Sequence, residues 1–248
     1  CYQMWRGKNN TVRIDGMGGQ YVVLIPDKDA IVVLTANASN TQTELNLVHK
    51  YLIPSIKSDK ALPGNQALYM ELENRQTALS LRPVSAAGLS ASEIEIKISG
   101  KEFAISKNNN NIQSAYFTFN GNECSLALRV DDNISIIKFG LESWKMSNTL
   151  LSSLLTPSLT ASKSVDAHYK VLQPLIKAGG SYTWIDKYTL ELTVRFIEES
   201  LGSETIVCKF SEINGAISLI IEPKGGRSMT GMPGAAAIPL RGNLIKIN

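Results

Sequence analysis

The sequence predicts a mainly β protein, α+β overall, in which a short hairpin and helix precede an antiparallel β-barrel or strongly curved sheet of about eight strands. Three observations predict this fold. Residues 20–34 hold two apolar, strand-like runs around a turn. Asn-Gly pairs at 120–121 and 214–215 each separate two strand-like runs and indicate tight hairpins. A Pro-Gly-containing, charged stretch at 57–66 separates the two regions.

The first region reads as a β-hairpin followed by a helix. Its strands, residues 20–25 and 30–34, flank the turn Pro26-Asp27-Lys28-Asp29, where proline presets the first corner. Both runs are apolar on consecutive residues, which predicts a sheet covered on both faces. Thr41-Gln42-Thr43-Glu44 matches a capping box, and Leu45, Val48 and Leu52 recur at helical spacing, so we expect a helix that ends before Pro54.

The second region is predicted to be rich in strands. A connecting helix with Leu68, Leu72 and Leu79 on one face should stop at Pro83. From residue 93, isoleucines at 94, 96 and 98 alternate with charged residues, which predicts a half-buried strand. Further runs follow up to "NLIKI" at 243–247, around an irregular connection at 147–164. We therefore divide the chain at 1–57, 58–83 and 84–248.

Composition excludes several classes of partner. The 25 basic and 22 acidic residues are interspersed, and no Lys/Arg block is present, so nucleic acid is not expected. No run approaches the length of a transmembrane helix. Cys1, Cys124 and Cys208 are odd in number and lack metal-ligand spacing, so we expect no zinc site. The glycine-rich stretch 223–237 lacks the strand-loop-helix context of a phosphate loop, and no cofactor is expected.

The segment "GGQYVVLIPDKDAIVVLTAN" at 18–37 resembles the closing strands of the penicillin-recognising serine hydrolases, the family of class C β-lactamases and D-alanyl-D-alanine carboxypeptidases. The order of glycines, aromatic strand, Pro-acid-Lys-acid turn, strand ending near Ala-Asn and following helix is similar over residues 1–55. "FGLESW" at 139–144 and "SYTWID" at 181–186 also resemble the β-rich C-terminal extension that many of these hydrolases carry.

The resemblance implies a site and a partner. It implies that residues 1–57 are the C-terminal segment of a hydrolase domain whose catalytic part lies upstream and is missing from this chain. The backbone beside the substrate pocket would then include Gly16, Gly18, Gly19 and Gln20. Arg13-Ile14-Asp15-Gly16 stands where the family has Lys/His-Thr-Gly, so Arg13 and Asp15 either contact substrate or form a surface charge pair. The family resemblance also implies a periplasmic or cell-surface location.

The chain lacks the nucleophile and base that this chemistry needs. The family uses Ser-x-x-Lys on a helix, and here the pattern occurs only at Ser135-Ile136-Ile137-Lys138, in a predicted strand. Residues three apart in a strand point to opposite faces, so these two side chains cannot meet. We therefore expect no catalytic residue and no activity from this chain alone.

Two other functions remain open. A barrel of about eight strands can enclose a small apolar ligand or present its tryptophans, Trp5, Trp144 and Trp184, to a glycan. Each tryptophan lies near a strand end with apolar neighbours, which favours core packing or plugging of the barrel over a glycan platform. Alternatively, the region is a structural dimerisation module, in which exposed strand edges pair with a second chain to form a homodimer.

Overall fold

The chain forms two compact units, Cys1–Leu81 and Arg82–Arg227 with Pro233–Asn248. This computed structural model describes residues 3–36, 38, 40–57, 60, 63–83, 88–150, 175–197, 202–224 and 238–245. The boundary at 81/82 falls inside the connection predicted at 58–83. The predicted fold class is confirmed, because the chain is mainly β, with a closed nine-strand barrel and a separate four-strand antiparallel sheet.

The first unit contains an antiparallel meander, in the order β1-β2-β3-β4. Its strands are β1 Met4–Arg6, β2 Val12–Gly16, β3 Gln20–Ile25 and β4 Ala30–Leu34. The predicted hairpin at 20–34 is confirmed, with a 3-10 turn at Pro26–Lys28 and a left-handed Asp29 (φ 47°) before β4. The structure adds β1 and β2, which the sequence did not predict as strands.

The helices of this unit follow β4. They are α1 Thr41–Leu47, a π-helical turn Val48–Leu52, α2 Ile53–Ser55 and α3 Gln66–Ala78. The expectation that the first helix ends before Pro54 is wrong. Pro54 follows directly on the π-helical turn, in which the Ile53 N–H donates to the carbonyl of Val48, and the helical path continues through the proline to Ser55. The predicted connecting helix is α3, but it ends at Ala78 and not at Pro83, which leaves Leu79 in extended conformation outside it. Asn65 caps α3 by accepting a hydrogen bond from Leu68 N at 3.1 Å.

The capping box at 41–44 does not form. Asn40 is the residue before the helix, and no side chain there caps it. The Glu44 carboxylate instead lies against the backbone of Gly19 on the sheet. A tertiary contact has replaced the local one that the sequence pattern predicts.

Among the described residues of this unit, α1 covers one face of the meander and the other face is left uncovered. Tyr21, Val23 and Ile25 form a small core with Leu45 of α1. The opposite face is also apolar, and its members alternate with these residues along the paired strands. They are Met4, Val12, Ile14, Val22, Leu24, Ile31 and Val33. We call this set the open face. Ile31 is 66% exposed and Val33 is 64% exposed, so the predicted cover on both faces is found on one face only.

The second unit is the barrel. Its strands are β5 Lys101–Ile105, β6 Ile112–Asn120, β7 Glu123–Val130, β8 Asn133–Leu141, β9 Lys145–Thr149, β10 Ile176–Asp186, β11 Thr189–Phe196, β12 Gly202–Ile213, β13 Ala216–Pro223 and β14 Leu240–Leu244. Pairing runs β11-β12-β13-β14-β5-β6-β7-β8-β10, and β10 pairs β11 to close the circle. β9 pairs with β10 outside it. Every contact in the circle is antiparallel except β8–β10.

The turn signals of the sequence are found in place. Gly121-Asn122 connects β6 to β7, one residue later than the Asn120-Gly121 pair, and Asn214-Gly215 connects β12 to β13. Gly121, Asn214 and Gly215 have positive φ angles of 56°, 51° and 75°, which glycine and asparagine tolerate best. Both hairpin predictions are therefore confirmed.

The strand predicted at 93–98 is wrong. These residues form a short helix, α4 Ile94–Ile98. Ile94 and Ile98 are buried one helical turn apart and join the barrel core, whereas Ile96 is 85% exposed. An apolar-polar alternation over only five residues satisfies helical i, i+4 spacing as well as strand spacing.

Several predictions concern residues outside the described part of the chain. These are most of the irregular connection at 147–164 and of the glycine-rich stretch 223–237, together with Cys1 and the last residues of "NLIKI". Its first residues do lie in a strand, β14.

Candidate functional site

The residues that the resemblance assigns to a substrate site lie on β2 and the turn after it. Arg13 and Asp15 are two apart on β2, and Arg13 Nε donates to both Asp15 carboxylate oxygens at 2.9 and 3.1 Å. They pair with Val23 and Tyr21 on β3, so they lie on the face that α1 covers. Both side chains are about one-third exposed. The geometry therefore places an ion pair here, one of the two alternatives that the sequence left open.

The glycine turn packs against α1. Gly16 pairs with Gln20 across the end of the β2–β3 hairpin, and Gly18 and Gly19 have φ angles of 76° and 91°. A Cβ on Gly19 would lie 2.9 Å from Glu44 Cδ and closer still to its Oε2. Gln20 Nε2 donates to the carbonyl of Ala36 at 2.5 Å. In this unit the close neighbour of the glycine backbone is thus the Glu44 carboxylate.

Beside that turn, the end of β4 and the following helices enclose an open groove of about 490 Å³. Its strand side is formed by residues 34–36. Its helical side is formed by Glu44, Leu47, Val48, Tyr51, Leu52 and Ser55. We call it the edge groove. Since β4 is the last strand of the meander, the groove opens at the free edge of the sheet.

The edge groove is mostly apolar and contains one carboxylate, that of Glu44, beside the hydroxyl groups of Thr35, Tyr51 and Ser55. Leu47 and Tyr51 are 52% and 59% exposed. Glu44 Oε2 is buried and has no hydrogen-bond partner among the described residues, and the same is true of His49 Nδ1 on the same helical segment. Buried polar atoms are nearly always hydrogen-bonded, so Glu44 Oε2, which lies against the backbone of Gly19, is an exception in this unit.

Sequence reasoning missed the edge groove. It identified Leu45, Val48 and Leu52 as the buried stripe of the helix and assigned Glu44 to a cap. A second stripe at 44, 47, 48, 51, 52 and 55 has the same helical spacing and was the available signal.

The Ser-x-x-Lys pattern cannot act as a nucleophile and base. Ser135 and Lys138 lie on β8; the serine is buried and the lysine is exposed. They point to opposite sides of the barrel wall, as the sequence predicts.

The barrel interior is filled by aromatic rings in the part that the structure describes. Phe103, Phe117 and Phe210 meet with ring centroids 5.4–6.1 Å apart. Trp184 is fully buried and lies 6.0 Å from Phe210. Its Nε1 donates to Glu95 Oε1 of α4 at 2.5 Å. These rings occupy the space in which a barrel would hold a ligand.

Two thiols share that interior. Cys124 and Cys208 are buried and free. Burial raises the pKa of each thiol, which keeps both protonated and unreactive at neutral pH. Burial likewise raises the pKa of Tyr182.

The three tryptophans do not form a common platform. Trp184 is a core residue. Trp144 lies at a half-buried position outside β10, where the Arg195 guanidinium is 5.8 Å from its ring centroid. Trp5 is 57% exposed on β1 of the other unit.

The described residues contain no cluster of His, Cys, Asp or Glu side chains suited to a metal ion. Of the helices that the structure describes, none has the length and apolar character needed to cross a membrane.

Comparison with known proteins gives no family. No family model matches the chain, and no curated protein matches it. A solved structure described as "REP1-NXSQ fatty acid transporter" is similar with a TM-score of 0.34 and 8% identity, covering 62% of this chain and 98% of that chain. A similarity this low supports no inference about fold or function. The function must be argued from the geometry.

Proposed function

We propose that the chain is a non-catalytic C-terminal region of a serine hydrolase of the penicillin-recognising class. In this proposal its first unit supplies the closing strands and helix of the hydrolase domain, and its barrel is an appended module. The parent activity would be hydrolysis of amides or esters, such as peptidoglycan-type peptides or β-lactams, through an acyl-serine.

The observation that carries the proposal is the open face. A meander with apolar side chains on both faces is stable when both faces are covered by other layers. Here α1 covers one face, while Ile31 and Val33 on the other are about two-thirds exposed. A contiguous apolar patch of this kind indicates a surface that polypeptide covers in the working protein. The free edge at β4 supports the same conclusion, because unpaired strands recruit partners.

The test is to read the codons that precede Cys1 and to label the product. The proposal expects in-frame Ser-x-x-Lys and Tyr-x-Asn motifs, and a product that fluorescent penicillin acylates at that serine. The chain alone should remain unlabelled. An upstream frame without these motifs, or labelling of the chain alone, overturns the proposal.

Homodimerisation through exposed strand edges is the competing explanation for the unpaired edge at β4. Light scattering of the purified chain separates the two. A dimer would favour pairing between copies, whereas a monomer would contradict it.

A second candidate function concerns the barrel, which would bind a small apolar ligand or a glycan. The observation that favours it is closure of nine strands, the architecture in which barrels enclose ligands. Since aromatic rings fill the described interior, a ligand would have to displace them, beginning with the Trp184–Glu95 contact. Organic extraction of natively purified protein followed by mass spectrometry tests this. A stoichiometric ligand supports it, and an empty barrel whose Trp184 fluorescence does not respond to palmitate or chitotriose contradicts it.

A further inference from the structure

The segment 88–100 crosses one end of the barrel, and we call it the mouth strap. It enters beside β10, where Leu89 N donates to the carbonyl of Trp184 at 2.8 Å. It leaves beside β6, where Gly100 N donates to the carbonyl of Phe117 at 2.7 Å. In the closed circle, β7 and β8 lie between β6 and β10 on one side, and five strands lie between them on the other. The mouth strap therefore runs across the barrel end, with α4 in its middle.

The side chains of α4 close this end. Ile94 and Ile98 lie in the barrel core, whereas Ile96 on the outer side of the helix is 85% exposed. Lys97 Nζ lies 2.7 Å from Glu212 Oε2 near the end of β12, so the helix is also attached to a third strand of the circle. The mouth strap thus acts as a closure of the interior and is not itself a wall strand.

Opening this closure breaks fewer interactions than parting the wall. Wall strands are joined by rows of backbone hydrogen bonds, and passage between two of them would break a row. α4 is held by single side-chain bonds, from Ser92 Oγ to the Lys187 carbonyl at 2.6 Å and from Trp184 Nε1 to Glu95, besides the ion pair to β12. A helix of five residues has no stability of its own once such contacts break.

Gly100 provides a pivot at the β6 end of the mouth strap. Its φ angle is 70°, and a Cβ added to it would meet no atom within 4 Å. Glycine changes its backbone angles at little steric cost, and hinges are formed by the few residues that absorb such changes. The mouth strap can therefore move at this end while the strands stay paired.

We propose that the mouth strap is a lid, which opens by local unfolding of α4 and admits small molecules to the barrel interior while the nine strands stay paired. This inference goes beyond the hydrolase assignment, because it concerns the barrel alone. It supplies the entry route that the ligand-binding candidate requires, and lid opening is measurable without any ligand.

The two buried thiols report on the interior next to the lid. Cys124 pairs with Phe119, one residue before the end of β6. Cys208 pairs with Leu190, which in turn pairs with Trp184 beneath α4. Cys124 is 1% exposed and Cys208 is 0% exposed, so a reagent reaches either thiol only after the barrel opens.

The experiment is alkylation of the whole folded chain with iodoacetamide at pH 8, followed by mass spectrometry of the peptides that contain Cys124 and Cys208. Alkylation that follows local opening tracks the population of the open form. We therefore expect it to be at least about tenfold faster than the rate set by global unfolding, which urea titration gives for the same protein.

Matched variants identify the part that opens. Lys97→Met breaks the ion pair to β12 and should raise the alkylation rate about two- to fivefold. Ser92→Ala removes the bond to the Lys187 carbonyl and should raise it about two- to tenfold. The control is Lys209→Met, which breaks an ion pair with Glu222 on the wall and should leave the rate unchanged.

Amide hydrogen exchange of the wild type tests the lid without any substitution. The amides of Leu89, Ser99 and Gly100 should exchange at least about tenfold faster than the protected amides of β10 and β11. The inference is overturned by thiol alkylation at the rate of global unfolding, by equal rates in Lys97→Met and Lys209→Met, or by amides of the mouth strap that exchange together with those of β10 and β11.

Discussion

Gly180 of β10 offers a sharp test of how the barrel closes. It pairs with Phe139 in the parallel β8–β10 contact. An added Cβ would overlap the carbonyl oxygen of Lys138 and lie 2.7 Å from Phe139 Cδ1. The adjacent Gly179 is a matched control, because its Cβ would meet only Met146 Sδ at 3.4 Å and Trp144 Cε3 at 3.7 Å.

The expected change in the free energy of unfolding depends on the atoms that each added methyl group would contact. Overpacking of a core costs about 1–3 kcal/mol, and the Lys138 carbonyl is backbone that cannot rotate away, so Gly180→Ala should reach about 3 kcal/mol. Gly179→Ala makes ordinary contacts and reduces the freedom of the unfolded chain, so it should be neutral or stabilise by about 0.5 kcal/mol. For a unit of this size the expected Tm change for Gly180→Ala is a fall of about 6–12 °C.

Thermal unfolding followed by near-ultraviolet circular dichroism measures the difference in the barrel. Equal Tm values for the two alanine variants would refute the reasoning, because they would show that β8 and β10 do not approach each other as closely as described. If only Gly179→Ala lost stability, the described orientation of β10 relative to β8 would be contradicted, because Gly179 and not Gly180 would then face β8.

Three further predictions concern the barrel. Trp184→Phe removes the donor to Glu95 and should lower the free energy of unfolding in urea by about 2 kcal/mol. Trp5→Phe should change it by less than about 0.5 kcal/mol. Equal effects of the two substitutions would contradict the Trp184–Glu95 contact. Lys224→Met leaves the buried Glu191 carboxylate unpaired and should lower the free energy of unfolding of the barrel by about 2–3 kcal/mol. Lys209→Met breaks the more exposed pair with Glu222 and should lower it by less than about 1 kcal/mol. Burial raises the folded-state pKa of Cys124 and Cys208 above the ordinary thiol value of 9.0. The contribution of these two thiols to the free energy of unfolding is therefore fully present below pH 9 and is lost as the pH rises beyond it. Thermal scans from pH 8 to 10 should therefore fall more steeply in the wild type than in a Cys124→Ala, Cys208→Ala variant, and parallel slopes would contradict this.

Local signals were sufficient for the hairpins. Gly121, Asn214 and Gly215 adopt the positive φ angles that these turns require, and these residue types tolerate such angles without help from distant residues. Residues 94–98 show where local reading fails. Ile94 and Ile98 suit either period, and only packing of both against the barrel core, with Ile96 outside, selects the helix.

Contacts between residues far apart in the chain could not be predicted from the sequence. The β8–β10 contact is parallel and joins residues far apart in the chain. No turn connects these two strands directly, so the sequence contains no local signal for their pairing. The edge groove depends on Glu44 meeting Gly19, and the capping-box pattern gave that glutamate a different partner. Apolar runs at 20–34 correctly indicated a sheet with two apolar faces, but could not say that α1 would cover just one.

The central claim is that the first unit is built to be covered by further polypeptide. Amide hydrogen exchange of β4 tests it most directly, measured in the chain alone and in a product that includes the preceding in-frame residues. We expect amides of residues 30–34 to be protected at least about a hundredfold more in the longer product, because pairing and burial would add about 3 kcal/mol to the free energy of local opening. Identical protection in both proteins would contradict the account.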